Sequence, residues 1–395
     1  MMSPTPSRRS LLAALSVLGV AIALPPSALP ASALPASGSA AGDLFVAEGG
    51  SDGNPGTREA PFRSIAKAGA AARPGMTVHV APGVYPGGFK TTADGVTYRS
   101  DVPWGARIEP PPGGADIAPD IAWENRGAGV VIDGFEVSGS AFRIGLYTTG
   151  SDSVVQNTRV HDIGTFLNGR GGAGIYGDGY YGGTNITLRN NEVFRIGPPN
   201  TKSRLVHGLY HSTTGLIANN LAHNNAGAGI HLWHDARDLV IVNNTLFQNH
   251  IGAWIGANEH YRHQGPADNV TFANNIVYDN RGYGIVEGGE TGTNNRYMTN
   301  LVFGNGTDIR LQNGLTATGT IAADPGFLRY APDGGGDYRP GPGSPAIGVG
   351  TAAVAPPTDL GGGPRNGAVD IGALSYRGRP FGATAPVPPT RPSSG

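Results

Sequence analysis

Eight of the ten histidines fall between residues 207 and 263: His207, His211, His223, His231, His234, His250, His260 and His263. Among them stand Tyr210, Trp233, Asp235 and Glu259, with Tyr176 and Asp178 a short way upstream. Histidine titrates near neutrality and can act as a base, while a tyrosine hydroxyl can protonate a leaving oxygen. The chemistry that uses both is β-elimination from a uronic acid, whose C5 proton lies next to a carboxylate that must be neutralised. On that chemistry His211 is expected to be the base and Tyr210 the acid, with His231 and His234 as electrostatic support. Arg204, or Arg170 on the adjacent loop, would clamp the substrate carboxylate with two parallel hydrogen bonds. Tyr176, Trp233, Asp178, Asp235 and Glu259 would bind the sugar, Trp233 by stacking on a ring face. A proton returned from the opposite face would make the same site a C5-epimerase.

These residues need a frame, and the sequence supplies one as an internal repeat. The phrases VQNTRV, RNNEVF, ANNLAH, VNNTLF, ANNIVY and MTNLVF place Asn157, Asn191, Asn220, Asn244, Asn275 and Asn300 at separations of 34, 29, 24, 31 and 25 residues. A second phrase, Gly followed by Ile or Leu, opens most repeats at Gly145, Gly174, Gly208, Gly229 and Gly284, with Trp254-Ile255 in the same place. Short strands rich in β-branched residues, with no amphipathic helix between them, cannot bury themselves singly and must stack as coils. The fold class expected is all-β, a right-handed parallel β-helix in which coils lie about 4.8 Å apart. Variable spacing is absorbed by corner loops at Thr165–Gly172, Pro198–Arg204 and Asn258–Ala267. The corner asparagines are read as structural, their amides bonding the coils above and below.

Counting one residue past each inward Ile or Leu gives an outward column of Tyr147, Tyr176, Tyr210, His231, Gly256 and Val286. Plain structural roles compete for several residues: Tyr147 and Tyr176 as aromatic packing, His223 and His250 as turn residues, and His207 as an inward core histidine.

Composition limits the alternatives. The chain has 64 Gly and 32 Pro, no Cys and a formal net charge of −1. Stability outside the cell must then come from the core and the backbone, not from disulfides. Past the leader the only lysines are Lys67, Lys90 and Lys202, and there is no basic stripe, so nucleic acid is excluded as a partner. Residues 1–40 read as an export signal, and Ser7-Arg8-Arg9-Ser10-Leu11-Leu12 resembles the twin-arginine type, which implies an extracellular protein. The apolar run Leu11–Leu24 is short of the roughly 20 residues that cross a bilayer, so no stable membrane association is expected. One β-helix domain would span 43–376, and the Pro-rich 377–395 would be a disordered tail.

The two ends carry a family resemblance. Leu44–Tyr85, LFVAEGGSDGNPGTREAPFRSIAKAGAAARPGMTVHVAPGVY, is similar to the opening of secreted proteins of the pectate-lyase-like β-helix superfamily. In these a short helix, here about Phe62–Ala72, closes the open end of the solenoid. Ala323–Tyr376 resembles the closing segment of the same group. The resemblance covers nearly the whole mature chain and implies an enzyme acting on polysaccharide, a lyase or epimerase before a hydrolase, working as a monomer. A glycoside hydrolase would need two carboxylates about 5 to 9.5 Å apart, and Asp235 and Glu259 on successive coils are the candidate pair. A non-catalytic glycan-binding surface protein is the third reading. No cofactor is expected: Asp152, Asp162 and Asp178 are too dispersed to mark the Ca2+ site of many β-helix lyases, and His231 with His234 is the remaining option for a metal.

Overall fold

The computed structural model describes residues 42–112, 120–164, 171–199, 201–365, 367–376 and 378. The expected export signal, Arg170, and the tail beyond Gly378 lie outside the described residues. From Leu44 onward the chain climbs in coils, and a typical coil gives one strand to each of three parallel sheets of eleven, nine and nine strands. Sheet 1 starts at Leu44–Val46, sheet 2 at Gly83–Pro86 and sheet 3 at Phe89–Thr91. This is the right-handed parallel β-helix that the repeats predict.

Each sheet sends one column of apolar side chains inward. Leu188, Ile217, Ile241, Phe272 and Tyr297 are in register on sheet 1. Val160, Val193, Ala222, Leu246, Val277 and Val302 are in register on sheet 2. Leu146, Ile175, Leu209, Ile230, Ala253 and Ile285 face them from sheet 3. All of these side chains belong to one core.

The Gly-Ile phrase has a steric cause. A Cβ on Gly174 would lie 2.4 Å from Val193 Cγ1, and one on Gly208 would lie 2.7 Å from Asn225 Nδ2. Two successive residues, the glycine and the aliphatic after it, therefore both face the core, and strict inward-outward alternation breaks at this point in the strands of sheet 3.

The paired asparagines divide two tasks. Asn190, Asn219, Asn243 and Asn274 adopt left-handed backbone, with φ of 55°, 54°, 54° and 56°, which asparagine tolerates better than most residues. Their successors form a buried ladder: Asn191 Nδ2 donates to Asn220 Oδ1 at 3.0 Å, Asn220 to Asn244 at 2.9 Å, Asn244 to Asn275 at 2.9 Å and Asn275 to Asn300 at 3.1 Å. Asn157 is a turn residue with φ of 53°, and Thr158 stands at the ladder position, its N–H donating to Asn191 Oδ1. A second ladder, Asn225, Asn249, Asn280 and Asn305, runs at the next corner and was not anticipated.

Helix α1 (Ile65–Ala71) closes the N-terminal end, as expected. Ser64 caps it by accepting from Lys67 N–H, and Asp52 holds Ser64 in turn through its backbone N–H and hydroxyl. The C-terminal segment does not add coils. It lays Tyr338, Leu360, Ala373 and Leu374 over Leu221 and Phe247 on the outside of sheet 2.

Candidate functional site

The outward face of sheet 3 carries an aromatic column. Tyr147, Tyr176, Tyr210, His231 and Trp254 occupy one register position on five successive coils. Their ring centroids are 5.3, 4.2, 4.9 and 4.7 Å apart in that order. Trp254, not Gly256, follows His231, because Gly252 is the inward glycine of that coil and the residue count shifts by two.

The ring faces of Tyr176 and Tyr210 are spent on one another, with an interplanar angle of 14°, so a sugar cannot stack on them. Tyr176 is buried, and its hydroxyl lies 3.4 Å from that of Tyr261. Asp178, also buried, accepts from Tyr147 Oη at 2.5 Å, from Ser212 Oγ at 2.5 Å and from Tyr180 N–H at 3.1 Å. It orders the column and has little capacity left for a ligand. Burial pushes the Tyr210 hydroxyl well above its ordinary pKa, which keeps it protonated and able to give a proton.

His211 and His207 exchange the directions expected of them. His211 points into the core: its Nε2 bonds Ile186 O at 3.1 Å and its Nδ1 accepts from Thr213 N–H at 3.4 Å. Burial lowers its pKa to about 4, and it is fully enclosed, so it cannot serve as the base. His207 faces outward instead, with Nε2 2.8 Å from His231 Nδ1. The inward turn of Gly208 causes the switch, since the residue before it is rotated to the other face while Leu209 and His211 keep the core phase.

His234 stands beside Tyr210, their ring centroids 6.1 Å apart, and stacks on Tyr261 at 4.0 Å. Its Nδ1 bonds Glu259 O at 2.9 Å. A carbonyl can only accept, so Nδ1 carries the proton, and Nε2, which no hydrogen bond from a described residue occupies, is the nitrogen placed to act as a base. His234 also holds a left-handed backbone, φ 56°, which is costly for a non-glycine residue and tends to mark functional sites. Trp233 is half-buried, 5.5 Å from the His231 ring and 5.6 Å from that of Trp254.

The coil architecture is shared with known proteins. A family model described as right handed beta helix region matches residues 121–322. The chain belongs to the right-handed β-helix family. A second family model, described as protein of unknown function (DUF1565), matches 48–92. Among solved structures, pectate lyase Pel9A is similar with a TM-score of 0.58 and 18% identity, covering 85% of this chain and 97% of its own. A rhamnogalacturonan lyase is similar at a TM-score of 0.46 and 14% identity, over 74% of this chain and 92% of its own. An α-1,3-glucanase of Streptomyces thermodiastaticus gives 0.45 and 17%, over 69% and 48%. No curated protein matches the sequence.

Within this β-helix, Asp235 is not free for catalysis. Its carboxylate accepts the backbone N–H groups of Tyr261, Arg262 and His263 at 2.9, 2.8 and 3.1 Å. It thereby fastens the corner loop Asn258–Ala267 as a strap, which Arg262 also ties to Tyr180 O at 3.1 Å. Glu259 is exposed on the same strap; its backbone carbonyl bonds His234, and its charge helps to raise the pKa of Tyr210 and Tyr261. Acid–base work by an Asp235–Glu259 pair would require breaking that anchor. Arg204 is exposed on the corner before sheet 3, where its charge bears on His250 together with Lys202 and Arg281. It forms no ion pair with a described residue, and no contact links it to the Tyr210–His234 pair. Among the described residues no group of three or more His, Asp or Glu could hold a metal ion.

The strap gives a direct prediction. Asp235→Ala removes the acceptor of three backbone donors, so trypsin should cut after the exposed Arg262 at least about 10-fold faster, while the melting temperature of the β-helix changes little. An unchanged cleavage rate would show that Asp235 is not the anchor.

Proposed function

We propose that the protein is an extracellular enzyme acting on a uronic-acid-containing polysaccharide by removing the C5 proton, either as a lyase or as the closely related C5-epimerase. The observation that carries the reading is the His234 tautomer: Nδ1 carries the proton bonded to Glu259 O, no hydrogen bond from a described residue occupies Nε2, and the ring stands beside a protonated Tyr210. In the elimination His234 Nε2 takes the C5 proton, the electron pair forms the C4–C5 double bond, and the C4–O bond breaks. Tyr210 Oη delivers its proton to the leaving oxygen, and His234 replaces His211 as the base. The elongated face of sheet 3 suits an extended glycan, and the fold shared with pectate lyase Pel9A is compatible with an acidic one. The arginine pair before the leader's apolar run supports export, and among the described residues no helix is long and apolar enough to cross a membrane.

The test is a panel of purified uronate and neutral polysaccharides, followed by ultraviolet absorbance and by new reducing ends. Absorbance with new ends on a polyuronate is the lyase outcome, and a changed C5 configuration without ends is the epimerase outcome. New ends without absorbance would replace the reading by hydrolysis, and neither change on any glycan would favour binding alone.

A further inference from the structure

His207 and His231 form a pair whose protons are ordered by the backbone. Ala228 N–H donates to His207 Nδ1 at 3.2 Å, and His207 Nε2 lies 2.8 Å from His231 Nδ1. A backbone N–H can only donate, so His207 Nδ1 presents a lone pair. Burial lowers the pKa of both rings, that of His207 to about 3, and both are neutral at working pH. The one proton of His207 is then on Nε2 and is donated to His231 Nδ1. The proton of His231 is left on Nε2, where it has no acceptor although the residue is 4% exposed.

The next coil repeats the deficit. Trp254 Nε1–H is buried without a partner, and its ring stacks on His231 at 4.7 Å with an interplanar angle of 28°. One stranded donor is an ordinary folding cost. Two at the same register position on adjacent coils, beside the proposed base, call for an acceptor that none of the described residues supplies.

We infer that His231 Nε2–H and Trp254 Nε1–H form a neutral two-donor subsite for the carboxylate of an acidic sugar, with His207 as the positioning residue that fixes His231 as donor. The inference rests on the acidic-glycan reading above and assigns the carboxylate contact that Arg204 does not make. A carboxylate fits because it offers two acceptor oxygens and brings no donor of its own, whereas a sugar hydroxyl would bring one. Hydrogen bonds of a neutral donor to a charged acceptor are shorter and stronger than neutral pairs. The indole of Trp233 lies against both rings, over Gly256 and Gly289, and must yield for a ligand to reach the pair.

The experiment is nitrogen-15 NMR of the full mature chain, with the His231 signals assigned through His231→Gln. In the wild type at neutral pH, His231 should show a protonated Nε2 and an unprotonated Nδ1, and His207→Asn should abolish that single-tautomer pattern. Sodium galacturonate should shift both the His231 Nε2 and the Trp254 Nε1 signals, and neutral galactose should shift neither. Trp254→Phe keeps an aromatic ring and removes the donor, and should weaken galacturonate binding about 10-fold. A wild-type His231 protonated at Nδ1 overturns the inference without any variant. So do donor signals that stay unmoved by galacturonate while the polysaccharide panel shows uronate turnover, a result that would leave the functional reading intact. Inactivity on every polyuronate removes the functional reading; if the donor signals also stay unmoved by galacturonate, the carboxylate assignment falls with it, and if they shift, the subsite stands as a binding site.

Discussion

Replacing Asn244 by leucine is expected to lower unfolding free energy by at least about 3 kcal/mol, seen as an earlier midpoint in denaturant. Asn244 Oδ1 accepts both the backbone N–H and the side-chain amide of Asn220 at 2.9 Å, and its Nδ2 donates to Ile217 O and Asn275 Oδ1. Its Nδ2 also donates to Val242 O at 3.2 Å; leucine has similar bulk and none of these groups, so two buried donors and three acceptors lose a partner at about 1 to 3 kcal/mol for each left unsatisfied. That is a large share of the roughly 5 to 15 kcal/mol that stabilises a typical domain. Asn190→Gly should cost far less, because Asn190 is half-buried, its side chain only accepts from Asn219 Nδ2 at 3.3 Å, and it mainly supplies a left-handed turn that glycine also adopts. Equal losses from the two changes would contradict the division of labour between the paired asparagines.

His234→Ala should reduce kcat/KM on the polyuronate substrate by about 10²- to 10⁴-fold, the range for loss of an acid–base group, and Tyr210→Phe by about 10²-fold. Both side chains are on the outer face, and neither change empties the core. His211→Ala should behave in the opposite way. It strands Ile186 O and Thr213 N–H in the interior and lowers stability by about 1 to 3 kcal/mol, while the folded fraction keeps its turnover. Initial rates per folded molecule, with circular dichroism as the folding check, separate the two cases. Full activity in His234→Ala with loss in His211→Ala would overturn the assignment.

The coil frame was legible because its signals are local. Each Asn phrase makes one turn, each Gly-Ile phrase starts one strand, and stacking follows from strands that cannot bury themselves alone. The helix at the N-terminal end was expected from the resemblance of Leu44–Tyr85 to secreted β-helix proteins, and its Ser64 cap was seen only in the structure. The side-chain directions in sheet 3 were not, because alternation predicts His207 and His211 on one face. Only the close approach of Gly208 to Asn225, on the corner ladder of the next coil, shows that two adjacent residues turn inward and separate the histidines. The same irregularity at Gly252 put Gly256 where Trp254 belongs. Asp235 looked like a catalytic carboxylate because its true partners are backbone amides 26 to 28 residues away, which no side-chain pattern reveals. His234, by contrast, was picked out by type and position, and its role changed once the partner of its Nδ1 was known.

The central claim is that a C5 proton leaves the sugar, and the fate of that atom tests it most directly. A polyuronate that the protein alters in the panel should be prepared with deuterium at C5 and incubated with wild type and with His234→Ala. The account predicts that each unit cleaved or epimerised by the wild type releases its C5 deuterium to water, and that His234→Ala releases almost none. New chain ends formed with the C5 label retained would contradict it.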